Sequence, residues 1–325
     1  MNAILQQVRR TLRRHDLCPP DTRVVIGISG GSDSVALAFI LRELAPAGGF
    51  TVAALAHFNH RLRSTADRDE QFCRALAERL RLPIVVGGVD IREYAAAERL
   101  GIEEAARRAR YAFLHRSAAD LGAERIAVGH TRDDQAETFL LKLIRGAGLT
   151  GLGGIYPRRG ALVRPLLDVS REDLRGLLEA RGEPWMDDES NADIANPRNR
   201  VRHRVIPELD AAYGGPTSAA IARAASLVRE DGSWLDDRAA ARYLELATSN
   251  VDGVTFTAAD LSAEPGPIQR RLLLTALRDV AGVREVALEH VEAAADILKG
   301  SSSGADVPGA RLELRRGKLV LQRKR

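Results

Sequence analysis

The apolar positions of this chain alternate between short β-branched runs and longer segments with helical spacing. Arg23-Val-Val-Ile-Gly-Ile-Ser29 reads as a strand that enters a glycine turn, and Asp33 to Arg42 continues as a helix. Thr51–His57, Leu82–Val86 and Arg125–Gly129 give three further strands. The helical patterns Asp67–Leu80, Ile102–Asp120 and Thr131–Arg145 fall between or after them. Strands alternating with helices of this length predict βαβ units, and so an α/β domain built on a parallel sheet covered on both faces. The first residues, MNAILQQVRRTLRRHDLCPP, read as an amphipathic helix rather than a signal peptide, because they lack an apolar stretch and a cleavage site.

The pattern changes at Gly214-Gly215-Pro216, the clearest pair of breakers in the chain. This predicts a catalytic domain over 1–215, then a helical linker and a small, mostly helical substrate-binding domain over 216–325. Thr217–Leu246 reads as one long charged helix, and Pro267–Val280 and Glu285–Leu298 as two more. Alternation around Arg316-Gly317 predicts a terminal hairpin over Ala310–Arg323.

Composition adds little until charge is considered. The 325 residues are 45% hydrophobic and 28% charged, ordinary for a protein that buries a core, and no run is apolar and long enough to span a bilayer. Cys18 and Cys73 form no CxxC pair, which fits a reducing cytoplasm and argues against a zinc or iron–sulfur site. The net charge is +4, and apart from Lys142, Lys299, Lys318 and Lys324 every basic residue is arginine. Either an arginine-biased genome or a polyanionic partner explains that, and composition alone does not choose.

The segment Ser29-Gly30-Gly31-Ser32-Asp33-Ser34 carries the most chemistry. It is not a Walker loop, since no lysine follows the glycines. Gly27-Ile28-Ser29-Gly30-Gly31 matches a nucleophile elbow in the required strand–turn–helix setting. A hydrolase, however, needs an acid and then a histidine downstream, and its elbow gives no reason for Ser32-Asp33-Ser34. A phosphate cradle explains the whole segment. Two glycines let the backbone approach an anion, the next helix offers free N–H groups and its positive end, and Ser29, Ser32 and Ser34 add hydroxyls. Asp33 inside an anion site calls for a bridging divalent cation, naturally Mg2+. A second glycine segment, Gly146-Ala-Gly148-Leu-Thr-Gly151, matches GxGxxG but follows a helix, so it is read as a loop.

Further candidates lie at predicted strand ends. Ala56 and His57 close the second strand, in the run His57-Phe-Asn-His-Arg-Leu-Arg63. Gly129 and His130 open an acid-rich helix on which His130, Asp134 and Glu137 share a face. Such acids could also serve only the helix dipole. Arg107 and Arg110 are adjacent on one helical face. Asp188-Glu-Ser-Asn191 leads into Asn196-Pro-Arg-Asn-Arg-Val-Arg-His-Arg204, whose arginines are either a solvated face or a phosphate-contacting run.

The loop SGGSDS resembles the pyrophosphatase loop of the N-type ATP pyrophosphatases, which split ATP between the α- and β-phosphates. With the other four motifs, over about residues 23–209, the chain resembles the tRNA(Ile)-lysidine synthetases. Pro267-Ile-Gln-Arg-Arg-Leu-Leu-Leu274 adds a weaker likeness to that family's small substrate-binding domain, and the chain reads as a short form without the family's further C-terminal domain.

The resemblance implies ATP with Mg2+ as cofactors. Ser29 to Ser34, Ala56, His57 and Gly129 would hold the nucleotide, with Asp33 on the metal. Asp33, Arg107, Arg110, His130, Asp134 and Glu137 would be the catalytic set. Free lysine would be joined to C2 of the wobble cytidine of a tRNA(Ile) with anticodon CAU, contacted by Asn191, Arg198, Asn199 and Arg202. Family members are commonly dimers, so a homodimer is a possible assembly. The incoming amine must lose a proton, and crowding Asp134 against Glu137 is expected to raise one carboxyl pKa.

Overall fold

The structure, a computed structural model, describes residues 3–60, 66–186, 193–282 and 286–324. Two compact units emerge, 1–229 and 230–325, and the division falls inside the long helix Thr217–Leu246. Gly214, with φ of 72°, caps the preceding helix Ile206–Tyr213 in the left-handed region.

The first unit is the expected α/β domain. Its strands are β1 (Arg23–Ile28), β2 (Thr51–Asn59), β3 (Ile84–Gly88), β4 (Arg125–Ala127), β5 (Arg158–Arg159) and β6 (Leu162–Val163), in the sheet order β3-β2-β1-β4-β6-β5. All neighbours are parallel except the terminal pair β5 and β6. The sequence of β1 alternates faces. Val24, Ile26 and Ile28 join the core under α1 (Ala3–Arg14), α2 (Ser32–Gly48) and α3 (Ala66–Leu80), whereas Val25 packs under α4 (Ile91–Glu98) and α5 (Ile102–Asp120). β-branched residues suit a strand buried on both faces. The helix expected over Ile102–Asp120 has those bounds in the structure, whereas α4 and the short β5–β6 hairpin have no counterpart in the sequence pattern.

The strand order matters for function. From β1 the chain steps outward to β2 and β3, then crosses back to place β4 on the other side of β1. Loops leaving the carboxyl ends of β1 and β4 therefore diverge and open a crevice between them, where open α/β sheets hold ligands. The loop 29–34 follows β1, and Gly129-His130 follows β4.

The second unit has its own core, centred on Phe256, Leu272, Leu277 and Leu321. Three helices, Ala258–Ala263, Gly266–Ala281 and Leu288–Leu298, join the end of the long helix. They accompany a five-stranded antiparallel sheet that contains the terminal hairpin Ala310–Arg315/Lys318–Arg323. Arg316 and Gly317 both have positive φ, as the two-residue turn of a tight hairpin requires. The strands Thr248–Asn250, Gly253–Thr257 and Gly304–Val307 are too short for alternation to reveal them. No helix among the described residues is long and apolar enough to cross a membrane.

Candidate active site

Helix α2 begins without a side-chain cap. Its N-cap is Gly31, so no side chain claims the first-turn N–H groups, and they remain free for an anion. The preceding turn is braced from within. Ser34 Oγ accepts from Ser29 N at 3.2 Å and donates to Gly31 O at 2.9 Å. Gly30 has φ of 88°, which favours glycine, and its carbonyl accepts from Met186 N at 2.9 Å, so the 185–186 segment closes against the loop. Opposite stands Gly129, where a Cβ would lie 3.1 Å from the backbone of Asp33 and Ser34. A side chain there would push the two loops apart.

A cleft of ≈ 650 Å³ opens above these strand ends, lined by the loop and by Ala56, His57, Arg110, His130 and Asp134, among others. His57 is buried and donates from Nδ1 to Ile28 O at 3.0 Å, tying β2 to the start of the loop. Burial lowers its pKa and keeps the ring neutral. His130 is driven further, to about 3, by burial first, with Arg164, Arg198 and Arg110 adding to the effect; its enclosed Nδ1 has no hydrogen-bond partner among the described residues. Arg110 lies at the cleft, its guanidinium 5.4 Å from the Tyr111 ring centroid. Arg107 stacks on the same ring at 4.8 Å but is exposed and does not line the cleft.

The acid-rich helix α6 (Arg132–Ile144) is capped, and its acids do more than serve the dipole. Asp134 Oδ2 accepts from Thr131 N at 2.8 Å in a reciprocal capping box. Its Oδ1 faces Arg198 at 3.0 Å and Arg171 at 3.2 Å. Glu137, with no solvent exposure, receives Arg202 Nε at 2.6 Å and Arg198 Nε at 2.7 Å. Burial alone would raise the Asp134 pKa, but Arg171 and Arg198 outweigh it and hold the carboxyl at about 2. The expected rise from crowding is thus reversed at Asp134. The acid whose pKa is raised is Asp33, because burial there exceeds the help from Arg171.

Three features escape the sequence pattern. Arg171, at the start of helix Arg171–Ala180, belongs to none of the motifs, yet its side chain reaches Asp33 at 3.1 Å. Arg198 and Arg202 are expected as RNA contacts; both guanidinium groups turn inward onto the acids of α6. A π-helical turn, Val201–Val205, follows Pro197–Arg200 in that segment, an irregularity common at functional sites and invisible to periodicity. Asn199 is buried and donates to Asp193 O at 2.9 Å. Asn191 lies outside the described residues.

A free helix N-terminus beside a crevice of acids and arginines defines a nucleotide-handling α/β protein, and the chain belongs to the PP-loop domain family, an ATP-binding family whose model matches residues 3–209. Within it, the chain is similar to proteins named tRNA(Ile)-lysidine synthase. The one from Geobacter sulfurreducens is 39% identical over 300 residues, covering 90% of this chain and 63% of that protein. One from Thermus thermophilus is 42% identical over 257 residues, covering 79% of this chain and 48% of that protein. The chain therefore spans about half to just under two thirds of the length of these relatives. Among solved structures, a U34-tRNA thiolase from Methanococcus maripaludis with its [4Fe-4S] cluster shares the fold, with a TM-score of 0.57 and 18% identity over 70% of this chain and 79% of that one.

Proposed function

We propose that the chain joins lysine to C2 of the wobble cytidine of a tRNA(Ile) with anticodon CAU, using ATP. The observation that carries this is the pairing of an uncapped, serine-braced loop at the end of β1 with the acid helix at the end of β4, in a chain similar to lysidine synthases over most of its length. In the proposed reaction the cytidine O2 attacks the α-phosphorus of ATP, and the bond to the β-phosphate bridging oxygen breaks. An amine of lysine then attacks C2, and the C2–O bond breaks as AMP departs.

The residues fit distinct tasks in this reading. Free N–H groups of α2 with the hydroxyls of Ser29 and Ser32 receive the charge that builds on departing pyrophosphate, while Ser34, whose hydroxyl donates to Gly31 O, holds the turn that presents them. The donor set fits Mg2+ only as a sparse site, with Asp33 as one carboxylate and phosphates and water completing it. Bound there, the cation would screen the phosphate charges. Asp134, which lines the cleft and is kept ionised by Arg171 and Arg198, suits an ionic anchor for the lysine ammonium, while the fully buried Glu137 holds Arg198 and Arg202 in place. Neutral His130 can hydrogen-bond the activated base or a phosphate. Arg110 stands ready for the α-phosphate. Arg198 and Arg202, with the buried Asn199 between them in the chain, are proposed to frame the entering nucleotide rather than a distant RNA backbone. A homodimer belongs to the same reading, testable by light scattering.

Thiolation, the activity named for the structural neighbour, is disfavoured by the setting of the cysteines. Cys18 and Cys73 sit in the apolar core, where burial pushes both thiols to about 12. The deciding experiment follows labelled lysine into tRNA alongside pyrophosphate release. Lysine transfer should require ATP, lysine and the CAU-anticodon tRNA together. Pyrophosphate release should require ATP and the tRNA, and should turn over repeatedly only when lysine is added. Pyrophosphate release at the same rate without tRNA would sink the assignment.

A further inference from the structure

Three carboxylates and three guanidinium groups meet between the loops after β1 and β4, and they are not evenly paired. The ion pairs of Arg198 and Arg202 run to Asp134 and Glu137, at 2.6 to 3.5 Å. Asp33 has one ion-pair partner among the described residues, Arg171 Nε at 3.1 Å. The same guanidinium also reaches Asp134 at 3.2 Å and Glu137 at 3.7 Å. Among the described residues, Arg171 is therefore the charge that spans the crevice, joining the phosphate loop to the acid helix.

Its backbone is fixed while its head group is shared. Arg171 N donates to Asp133 Oδ2 at 2.8 Å, Ser170 caps the helix it begins, and Arg132 N donates to Val169 O at 2.9 Å. The root of the side chain is thus docked on the start of α6. We propose that Arg171 is a displaceable counter-ion of Asp33, a positioning residue that holds the loop carboxylate until a divalent cation takes its place and that then stays on Asp134 and Glu137. This rests on the cation role assigned to Asp33 above.

The charges support the exchange. Each of the three acids has an arginine within 3.1 Å: Asp33 has Arg171 at 3.1 Å, Asp134 has Arg198 at 3.0 Å and Glu137 has Arg202 at 2.6 Å. None of these carboxylates is therefore left uncompensated before nucleotide arrives. When a divalent cation takes Asp33, Arg171 keeps two carboxylate partners, and the added positive charge is what an incoming polyphosphate requires. Only a forked guanidinium reaches acids on both sides at once; lysine offers one point charge.

The test compares Mn2+ binding by titration calorimetry at pH 8, without nucleotide, in the wild type, Arg171→Gln, Arg171→Lys and Asp33→Asn, with circular dichroism to establish that each is folded. Removing the competing cation should tighten Mn2+ binding by about tenfold in Arg171→Gln, while lysine transfer falls by at least about tenfold as the acid helix loses its link to the loop. Arg171→Lys should bind Mn2+ as the wild type does yet remain slow, and Asp33→Asn should abolish the binding. Mn2+ affinity that is unchanged or weaker in folded Arg171→Gln, or no binding in either protein, would overturn the proposal. Mn2+ binding as described, with no lysine transfer by the wild type, would instead overturn the assigned reaction and leave the counter-ion role standing.

Discussion

Glu137 has no exposed surface, so its charge is tolerable only because Arg198 and Arg202 lie at hydrogen-bonding distance. Replacing it with glutamine leaves those two cations short of a partner, and urea unfolding at pH 7.5 should show a loss of about 3 kcal/mol. An unchanged midpoint would mean that water already screens the pair. His130 makes the opposite demand, since burial prefers its ring neutral and moves its pKa from 6.5 to about 3. A lowered folded pKa contributes stability that is present above the unfolded value and is lost as pH falls. The protein should therefore weaken progressively from about pH 6.5 downward, and His130→Asn should flatten that slope between pH 6.5 and 4.5 in urea titrations. Asp134 contributes in the same direction but in a lower window, from 3.8 towards about 2, so the two are separable.

At the scale of elements, the site depends on how closely the end of β4 approaches the start of α2. The backbone of Asp33 and Ser34 occupies the space a side chain at Gly129 would need, 3.1 Å from its Cβ. Gly129→Ala should leave the sheet intact and displace the phosphate loop, raising the KM for ATP by about tenfold or more while the unfolding midpoint moves by about 1 kcal/mol or less. A large loss of stability with unchanged KM would show that the sheet, not the loop, absorbs the methyl group. The contrast between the two helix starts is functional in the same sense. α6 spends its N-terminus on a capping box, whereas α2 keeps its own unoccupied.

For the whole molecule, the two units have separate cores, and a defect in one is expected to stay there. Phe256 is among the largest fully buried side chains and belongs to the core of the second unit. Phe256→Ala should cost that unit about 3–5 kcal/mol, with ATP binding by residues 1–229 preserved in calorimetry. Loss of ATP binding would show that the units fold as one.

Much of the molecule is legible in residue order because its causes are local. β-branched runs, helical spacing and the glycine–serine loop each act within one element, so β1, β2, α5 and the uncapped start of α2 can be read directly, as can the terminal hairpin. The acids of α6 are recognisable as a set for the same reason. What sequence spacing leaves open is pairing over distance. Arg171 lies far along the chain from Asp33, and no periodicity announces that it closes the charge balance of the loop. Nor can spacing show that Arg198 and Arg202 turn inward, since an arginine's partner is chosen by which carboxylates the sheet order brings within reach. The order β3-β2-β1-β4 makes those neighbours, and with them the depressed pKa of Asp134, because desolvation and Coulomb interaction depend on position in space and not on place in the chain.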